Sequence, residues 1–123
     1  MAVKVKTVDA NKTIGDCLRA MGSADVGCLV VVEGRRPVGI FTERDVVRKL
    51  SGSRRIAKLP VKRMMSTPLI TVAPMDTVWD AIALMSKNDI RRLPVVEGDQ
   101  LVGIITERDI LLQSFNYYHG MIG

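Results

Sequence analysis

The chain repeats itself, and this repeat constrains the fold more than any other feature of the sequence. When the sequence is shifted by 64 residues, Thr7–Arg48 aligns with Thr71–Leu112 without a gap, and 18 of the 42 aligned positions are identical. The matches are densest between Val31–Asp45 and Val95–Asp109. Because each copy must form the same supersecondary unit, the sequence predicts two similar units in one chain.

Both copies predict the same order of elements. Thr13-x-x-Asp16 and Thr77-x-x-Asp80 have the form of helix capping boxes, and apolar residues follow each of them at helical spacing. Two β-rich runs joined by a Glu-Gly turn come next, and a second helix is expected to start at Thr42 or Thr106. The predicted strands are Cys28–Val32, Pro37–Phe41, Leu93–Val96 and Leu101–Ile105, with short strands at Val3–Val5 and Leu69–Val72 before the two copies.

One copy is too small to cover both faces of its own sheet. We therefore predict an α/β (α+β) fold in which two β-α-β-β-α repeats pack sheet to sheet with pseudo-two-fold symmetry. Residues 1–123 would form a single module, with repeat 1 at about 1–58 and repeat 2 at about 59–123. Ser51–Lys62 would link the repeats, because its Ser-Gly-Ser start and Pro60 are typical of a helix end and a turn.

Catalysis and metal binding find no support in the residue types present. The single histidine, His119, is expected to be an exposed tail residue, and we interpret Cys17 and Cys28 as small buried apolar side chains. Walker and dinucleotide glycine motifs are absent from the sequence. No apolar run approaches the roughly 18 residues of a membrane span, and Met1–Thr7 has no signal-peptide core. We expect a cytoplasmic protein that is not an enzyme, with no catalytic residue, no metal and no membrane partner.

Positive charge is concentrated in one stretch. The formal net charge is +5, and the segment from Arg48 to Ser66 contains seven basic residues and no acidic one. Such a stretch is either a solvated connector or a surface for anionic partners. It contains no aromatic residue on which a base could stack, so nucleic-acid binding ranks last among the functions considered. The seven basic residues are Arg48, Lys49, Arg54, Arg55, Lys58, Lys62 and Arg63.

The segment Gly-Ile-x-Thr-Glu-Arg-Asp occurs twice, at Gly39–Asp45 and at Gly103–Asp109. Glycine inside a strand weakens it and is used where something approaches the backbone closely. The threonine lies where a strand passes into a helix, where free amides and a hydroxyl suit a phosphate. The aspartate lies one turn further and only accepts hydrogen bonds, which suits a ribose diol. Alternatively, Thr-x-x-Asp is simply another capping box, although capping does not explain the glycine.

These motifs resemble the cystathionine β-synthase (CBS) domain family, in the tandem form called a Bateman module. The resemblance covers nearly the whole chain and is carried by Ile90–Val96, Leu101–Asp109 and their first-copy equivalents. It implies a stand-alone pair of CBS domains with two clefts between the repeats, which bind AMP, ADP or ATP, or S-adenosylmethionine or NAD-type ligands. It also implies an aspartate on the ribose, a threonine on the phosphate, and homodimers.

Carried over to this sequence, the resemblance implies a main cleft and a second cleft. In the main cleft Arg92 would contact phosphate and Ile104 would lie beside the base. Cys28 stands where the second copy has Arg92 and cannot replace a guanidinium, so the main cleft is favoured. The main cleft comprises Thr106, Asp109, Arg92, Ile104, Val5, Lys6, Val26 and Gly27, and the second comprises Thr42, Asp45, Ile40, Thr67, Pro68, Ile70, Ile90 and Arg91.

Two functions remain open at this point. The first is a regulatory sensor in which an adenine nucleotide shifts a two-state equilibrium that an unidentified regulated protein reads. The second is a ligand-free dimerising scaffold in which the Thr-Asp pairs only cap helices. Arg44 and Arg108 are equally suited to a phosphate tail, a second subunit or solvent, and Phe115–Met121 to an interface or to packing on its own chain.

Overall fold

The computed structural model describes residues 5–49 and 54–112. These residues form two compact units, one from Val5 to Leu69 and one from Ile70 to the last described residue. The interpretations of His119 and of the aromatic segment 115–121 lie outside the described residues. Sheet-to-sheet packing of the two repeats stays a prediction from the sequence.

The first unit contains a three-stranded sheet in the order β1-β2-β3. Strand β1 runs parallel to β2, with Val8 opposite Val31, and β2 runs antiparallel to β3, with Val30 opposite Ile40. Two short 3-10 helices follow, at Arg54–Lys58 and Val61–Arg63. The elements of this unit are β1 Thr7–Asp9, α1 Ile14–Ala24, β2 Cys28–Glu33, β3 Arg36–Thr42 and α2 Glu43–Lys49.

The second unit repeats the helix and hairpin of the first. Its elements are α3 Val78–Asn88, β4 Arg92–Glu97 and β5 Gln100–Thr106, followed by the helical residues 107–112, here α4. The predicted strand Leu69–Val72 is wrong, because only a single parallel bridge forms there, between Val72 and Val95. Residues 3 and 4 of the strand predicted at Val3–Val5 lie outside the described residues; Val5 is not in a strand, and β1 begins at Thr7.

The capping boxes predicted for the first helix of each repeat are confirmed. Thr13 caps α1 by accepting the Asp16 N–H (3.1 Å), and Thr77 caps α3 by accepting the Asp80 N–H (3.1 Å). The Thr13 hydroxyl, the Arg19 guanidinium and the Thr13 amide hold the pKa of Asp16 below its usual value. Both helices thus start where the sequence indicates, because the free N–H groups find a local acceptor.

The two hairpins have the same register. A two-residue loop joins the strands in each, and Gly34 and Gly98 occupy its first position with φ values of 63° and 62°. Glycine adopts this left-handed conformation without a steric penalty, which is why the Glu-Gly turn occurs in both copies. In each hairpin the register also shifts by one residue shortly before the loop, between Val31 and Val32 in β2 and between Val95 and Val96 in β4.

Each unit has its own hydrophobic core between helix and sheet. In the first, apolar residues of α1 pack on the inner face of the hairpin, and burial raises the pKa of the Cys17 thiol to about 11, with a smaller effect of the Asp16 charge. The second core packs α3 on β4 in the same way. The buried residues are Ala10, Ile14, Cys17, Met21, Leu29, Val31, Phe41 and Val61 in the first core and Val72, Ala81, Met85, Leu93, Val95 and Ile110 in the second.

The segment after α2 is part of the first core. The Val61 side chain is 0% exposed, the Val61 N–H donates to the Lys12 carbonyl (2.8 Å), and the Ile14 N–H donates to the Leu59 carbonyl (2.9 Å). The sequence prediction assigned residues 59–69 to repeat 2. In the structure these residues lie in the first compact unit. The picture of a solvated connector holds for exposed cations such as Lys62 but not for the apolar side of the segment.

We expect Val61→Ala to lower the free energy of unfolding by about 2 kcal/mol, because it removes two buried methyl groups and leaves a cavity. Chemical denaturation provides the measurement. Val47→Ala is the matched control, because Val47 is 80% exposed, and its effect should stay within about 0.5 kcal/mol. Equal effects of the two substitutions would contradict the packing of this segment into the core.

Candidate functional site

Each repeat contains a corner where the last strand of the hairpin passes into a helix. The first corner comprises Thr42 and Asp45 at the junction of β3 and α2, and the second comprises Thr106 and Asp109 at the junction of β5 and α4. Both pairs were predicted as nucleotide contacts. In the structure each threonine is the last residue of its strand and each aspartate lies in the first turn of the helix, within hydrogen-bonding distance of each other.

Helix capping is confirmed at both corners. The Thr42 N–H donates to Asp45 Oδ2 (3.0 Å), and the Asp45 N–H donates to Thr42 Oγ1 (3.3 Å). At the second corner the Thr106 N–H donates to Asp109 Oδ2 (3.0 Å), and the Asp109 N–H donates to Thr106 Oγ1 (3.1 Å). Capping therefore explains the Thr-x-x-Asp spacing, but it uses one carboxylate oxygen, so the chemistry of each corner depends on Oδ1.

At the second corner the hairpin brings a cation beside the threonine. Arg92 is paired with Thr106 and Pro94 with Ile104 in the antiparallel ladder. Because directly opposite residues lie on the same face of a sheet, and alternate residues share a face, these four side chains share one face. The other face carries the core residues Leu93, Val95 and Ile105. The predicted residues Arg92, Ile104 and Thr106 are thus brought together.

Asp109 completes this group with a half-buried carboxylate. In the described part of the chain its only hydrogen-bond donor is Thr106, and Oδ1 receives no bond. Arg92 is also half-buried, whereas the neighbouring Arg91 is exposed and pairs with Glu107 at 3.6 Å between Nε and Oε2. The second corner therefore combines a guanidinium, a hydroxyl and a carboxylate oxygen that no described residue bonds. Groups of these types can bind sugar hydroxyls and a phosphate.

At the first corner the same positions have a different chemistry. Cys28 is paired with Thr42, so the cross-strand neighbour of this threonine is a cysteine and not an arginine. The Asp45 residue is only 6% exposed. Its Oδ1 accepts a hydrogen bond from Ser66 Oγ (3.2 Å) and lies 3.2 Å from Lys49 Nζ. Thus Oδ1 of Asp45 already has partners among the described residues, whereas none of those residues bonds Oδ1 of Asp109.

Comparison with known proteins supports the resemblance seen in the sequence. The family model described as CBS domain matches residues 1–52 and 61–115 of this chain. The chain belongs to the CBS domain family. Two CBS domains thus cover nearly the whole chain, and such a pair is a regulatory module.

The relatives of this CBS pair differ in length. The CBS domain-containing protein YhcV of Bacillus subtilis is 34% identical over 116 residues, which cover 94% of this chain and 83% of YhcV. Inosine-5'-monophosphate dehydrogenase of Korarchaeum cryptofilum is 36% identical over 111 residues, which cover 89% of this chain and 22% of that enzyme. The chain spans between 22% and 65% of seven curated relatives besides YhcV.

Among solved structures, the hexameric CBS-CP12 protein from bloom-forming cyanobacteria matches with a TM-score of 0.80 and 31% identity. The match covers 93% of this chain and 68% of that protein. The β-α-β-β-α order of the CBS fold is therefore shown for this chain, with the first strand of the second CBS domain reduced to the Val72 bridge.

The remaining predicted contacts are distributed over both CBS domains. In the first unit, Val5 and Lys6 precede β1, Val26 and Gly27 precede β2, and Thr67 and Pro68 are exposed. In the second, Ile70 and Ile90 pack against the core. Assignment of Val5, Lys6, Val26 and Gly27 to the main cleft, and of Thr67, Pro68, Ile70, Ile90 and Arg91 to the second, stays a prediction.

Sequence reasoning missed two residues at the first corner of the CBS pair. Lys49 stands four residues after Asp45 in α2, a spacing that predicts an ion pair on one helix face. Ser66 is 21 residues from Asp45, and no periodic pattern indicates such a contact. Among residues 5–49 and 54–112, no group of His, Cys, Asp and Glu could hold a metal, and no helix is long and apolar enough to cross a membrane.

Gly39, the glycine inside β3 of the first CBS domain, lies close to Met65 and Ser66 of the same chain. A Cβ at Gly39 would lie 2.5 Å from Met65 Sδ and 3.2 Å from the Ser66 carbonyl oxygen. The expectation that something lies close to this backbone is thus met by residues 65 and 66, without a ligand. Gly103 is also buried, but residues 1 and 2, which align with 65 and 66, lie outside the described part.

We expect Gly39→Ala to lower the free energy of unfolding by about 1–3 kcal/mol, because the Ser66 carbonyl is held by backbone hydrogen bonds and cannot move aside freely. Gly22→Ala is the control: no atom lies within 4 Å of its added Cβ, and it lies inside α1. Since alanine favours a helix, this variant should gain up to about 1 kcal/mol. Thermal or urea unfolding that ranks the two variants in the opposite order would refute the close approach.

Proposed function

We propose that this CBS pair is a non-enzymatic regulatory module that binds an adenosine nucleotide (AMP, ADP or ATP) at the second corner. One observation supports this proposal above the others. Arg92, Thr106 and Asp109 are grouped at one strand end, and Asp109 Oδ1 accepts no hydrogen bond from the described residues. A half-buried carboxylate is stabilised by hydrogen-bond donors, so this grouping favours a ligand that donates hydrogen bonds.

Each group at the second corner has a distinct role in this proposal. Asp109 accepts hydrogen bonds from the ribose hydroxyls through Oδ1. The Thr106 hydroxyl contacts the phosphate, and Arg92 adds a guanidinium that neutralises it. Ile104 lies on the same face and is 6% exposed, and its contact with the base stays a prediction. Because a guanidinium attracts a phosphate and repels a sulfonium, we favour a phosphate-bearing ligand over S-adenosylmethionine.

Regulation follows from the free energy of binding. A ligand that binds one conformation better than another shifts the population by its differential affinity. In this proposal the nucleotide shifts the conformation of the CBS pair, and an unidentified partner reads the change. No described residue cluster indicates catalysis, and the matched dehydrogenase shares only 22% of its length with this chain. A cytoplasmic location remains part of the proposal.

We expect Asp109→Ala to weaken nucleotide binding by about 1.5–3 kcal/mol, roughly 10- to 150-fold, because a charge-assisted hydrogen bond is lost. Titration calorimetry with AMP, ADP and ATP, and with S-adenosylmethionine and NAD as competing ligand classes, measures the change. Asp99→Ala, an exposed carboxylate in the β4–β5 turn, is the control and should bind as the unmodified chain does.

One outcome would argue against this site. Unchanged affinity in Asp109→Ala would show that the nucleotide binds elsewhere. A parallel thermal melt guards against a trivial loss of binding, since the substitution also removes one side of the capping box. Thr106 Oγ1 still caps α4 in this variant, so the helix is expected to persist.

A second function is favoured by the exposed apolar surface of α3. The Trp79 side chain is 78% exposed, Met75 is 92% exposed, and Ile82 lies one turn after Trp79. Exposed apolar clusters of this kind mark association sites. Here the CBS pair would be a dimerising scaffold whose Thr-Asp pairs only cap helices, and the hexameric CBS-CP12 relative is an example of assembly in this family.

We expect the chain to form a homodimer through this surface and Trp79→Ala to weaken it, because a large aromatic anchor is removed. Light scattering over a range of concentrations measures the association. The control is Leu111→Ala, which truncates an exposed apolar residue of α4 instead. A dimer that tolerates Trp79→Ala would exclude α3 as its interface, and a lack of response to every nucleotide would favour the scaffold over the sensor.

A further inference from the structure

The Asp45 carboxylate of the first corner is enclosed by donors from its own unit. Thr42 contributes its N–H (3.0 Å) and its hydroxyl (3.3 Å), both to Oδ2. Ser66 Oγ lies 3.2 Å from Oδ1, and so does Lys49 Nζ. A buried carboxylate is tolerated only when it is hydrogen-bonded and its charge is balanced, and these four donors meet both conditions.

The four donors use the whole acceptor capacity of the side chain. A carboxylate has two oxygens with about two lone pairs each. A ribose diol needs two of those positions, so it can bind Asp45 only by displacing Ser66 and Lys49. Asp109 differs, because Thr106 is its one donor among the described residues. The two corners share the Thr-Asp pair and the capping geometry. Only at the first corner do described residues also contact Oδ1 of the aspartate.

The same contacts fasten the segment Met64–Ser66 to the corner. Lys49 Nζ bonds the Met64 carbonyl (3.0 Å) as well as the carboxylate. The Ser66 N–H donates to the Ile40 carbonyl (2.8 Å), and the Ile40 N–H donates to the Ser66 carbonyl (3.3 Å). We call this arrangement of Lys49, Ser66 and Asp45 the carboxylate latch. It holds the segment against Gly39, where a residue larger than glycine would clash with Met65 and Ser66.

The repeat itself offers a comparison. At the 64-residue offset, Ala2 aligns with Ser66 and Gln113 aligns with Lys49. Alanine has no hydroxyl, and glutamine offers a neutral amide in place of the ammonium, so the serine and lysine that bond Asp45 have no counterparts at the aligned positions of the sequence. The asymmetry therefore lies in two residues outside the Gly-Ile-x-Thr-Glu-Arg-Asp motif, which is present in both copies.

We propose that Ser66 and Lys49 determine which repeat takes a nucleotide: the carboxylate latch closes the first corner, so the chain binds one nucleotide, at Asp109. This inference rests on the proposed function for its ligand, and it assigns Asp45 a structural role in place of a ligand contact. Ser66 and Lys49 are specificity-determining residues, since they act by occupying the acceptor that the ligand would use.

Calorimetric stoichiometry with AMP tests the inference. The unmodified chain should bind one equivalent. Ser66→Ala combined with Lys49→Gln copies the residue types of the second repeat and should raise the stoichiometry to two. Adding Asp45→Asn to that variant should return it to one, whereas adding Asp109→Asn should remove the original site and leave the new one. Thermal melts of all variants confirm that they are folded, and Ser66→Ala alone replaces the double variant if the latter does not melt cooperatively.

The outcomes separate this inference from the proposed function. Two equivalents bound by the unmodified chain, or one equivalent bound by a folded latch-free variant, would overturn the latch while nucleotide binding at Asp109 stands. In a third outcome the unmodified chain binds no nucleotide, but Ser66→Ala combined with Lys49→Gln gains a site that depends on Asp45. That result would support the latch and overturn binding at Asp109. No binding by any folded variant would overturn both.

Discussion

The structure depends on a carboxylate that caps a helix while keeping a second oxygen for another partner. At each corner the aspartate accepts the threonine N–H through Oδ2, which anchors the helix that follows the hairpin. The threonine hydroxyl in turn accepts the aspartate N–H. Capping thus fixes the position of the side chain, and the surroundings of Oδ1 determine its chemistry. The same motif is therefore compatible with different partners for Oδ1 in the two repeats.

The hairpin gives these corners their surroundings through the alternation of side chains along a strand. The residues that face α3 form the core, and the residues between them present Arg92, Ile104 and Thr106 on the opposite face. The in-register pairing of β4 with β5 sets Arg92 directly opposite Thr106. One strand register determines both faces of the hairpin. It places the apolar residues on the core face and pairs Arg92 with Thr106 on the other face.

Tertiary packing brings residues that are distant in the sequence to the first corner. The chain after α2 returns to the first unit, where Val61 enters the core and Ser66 reaches Asp45. This return explains the dense contacts around Gly39 and the burial of the Asp45 carboxylate. Residues 54–69 are therefore part of the first compact unit, where they contribute to its core and to the corner at Asp45.

The sequence by itself determined the repeat, the helix starts, the glycine turns and the residue types at the two corners, because each of these follows from local geometry. Capping needs a threonine and an aspartate three residues apart, and a tight hairpin needs a glycine at φ near +60°. The difference between Arg92 and Cys28 was also visible in the sequence. Only the tertiary structure decided that Leu69–Val72 forms no strand, that residues 59–69 pack in the first unit, and that Ser66 occupies Asp45. These features join residues far apart in the chain, and such contacts depend on how the units close around their cores, which no spacing in the sequence specifies.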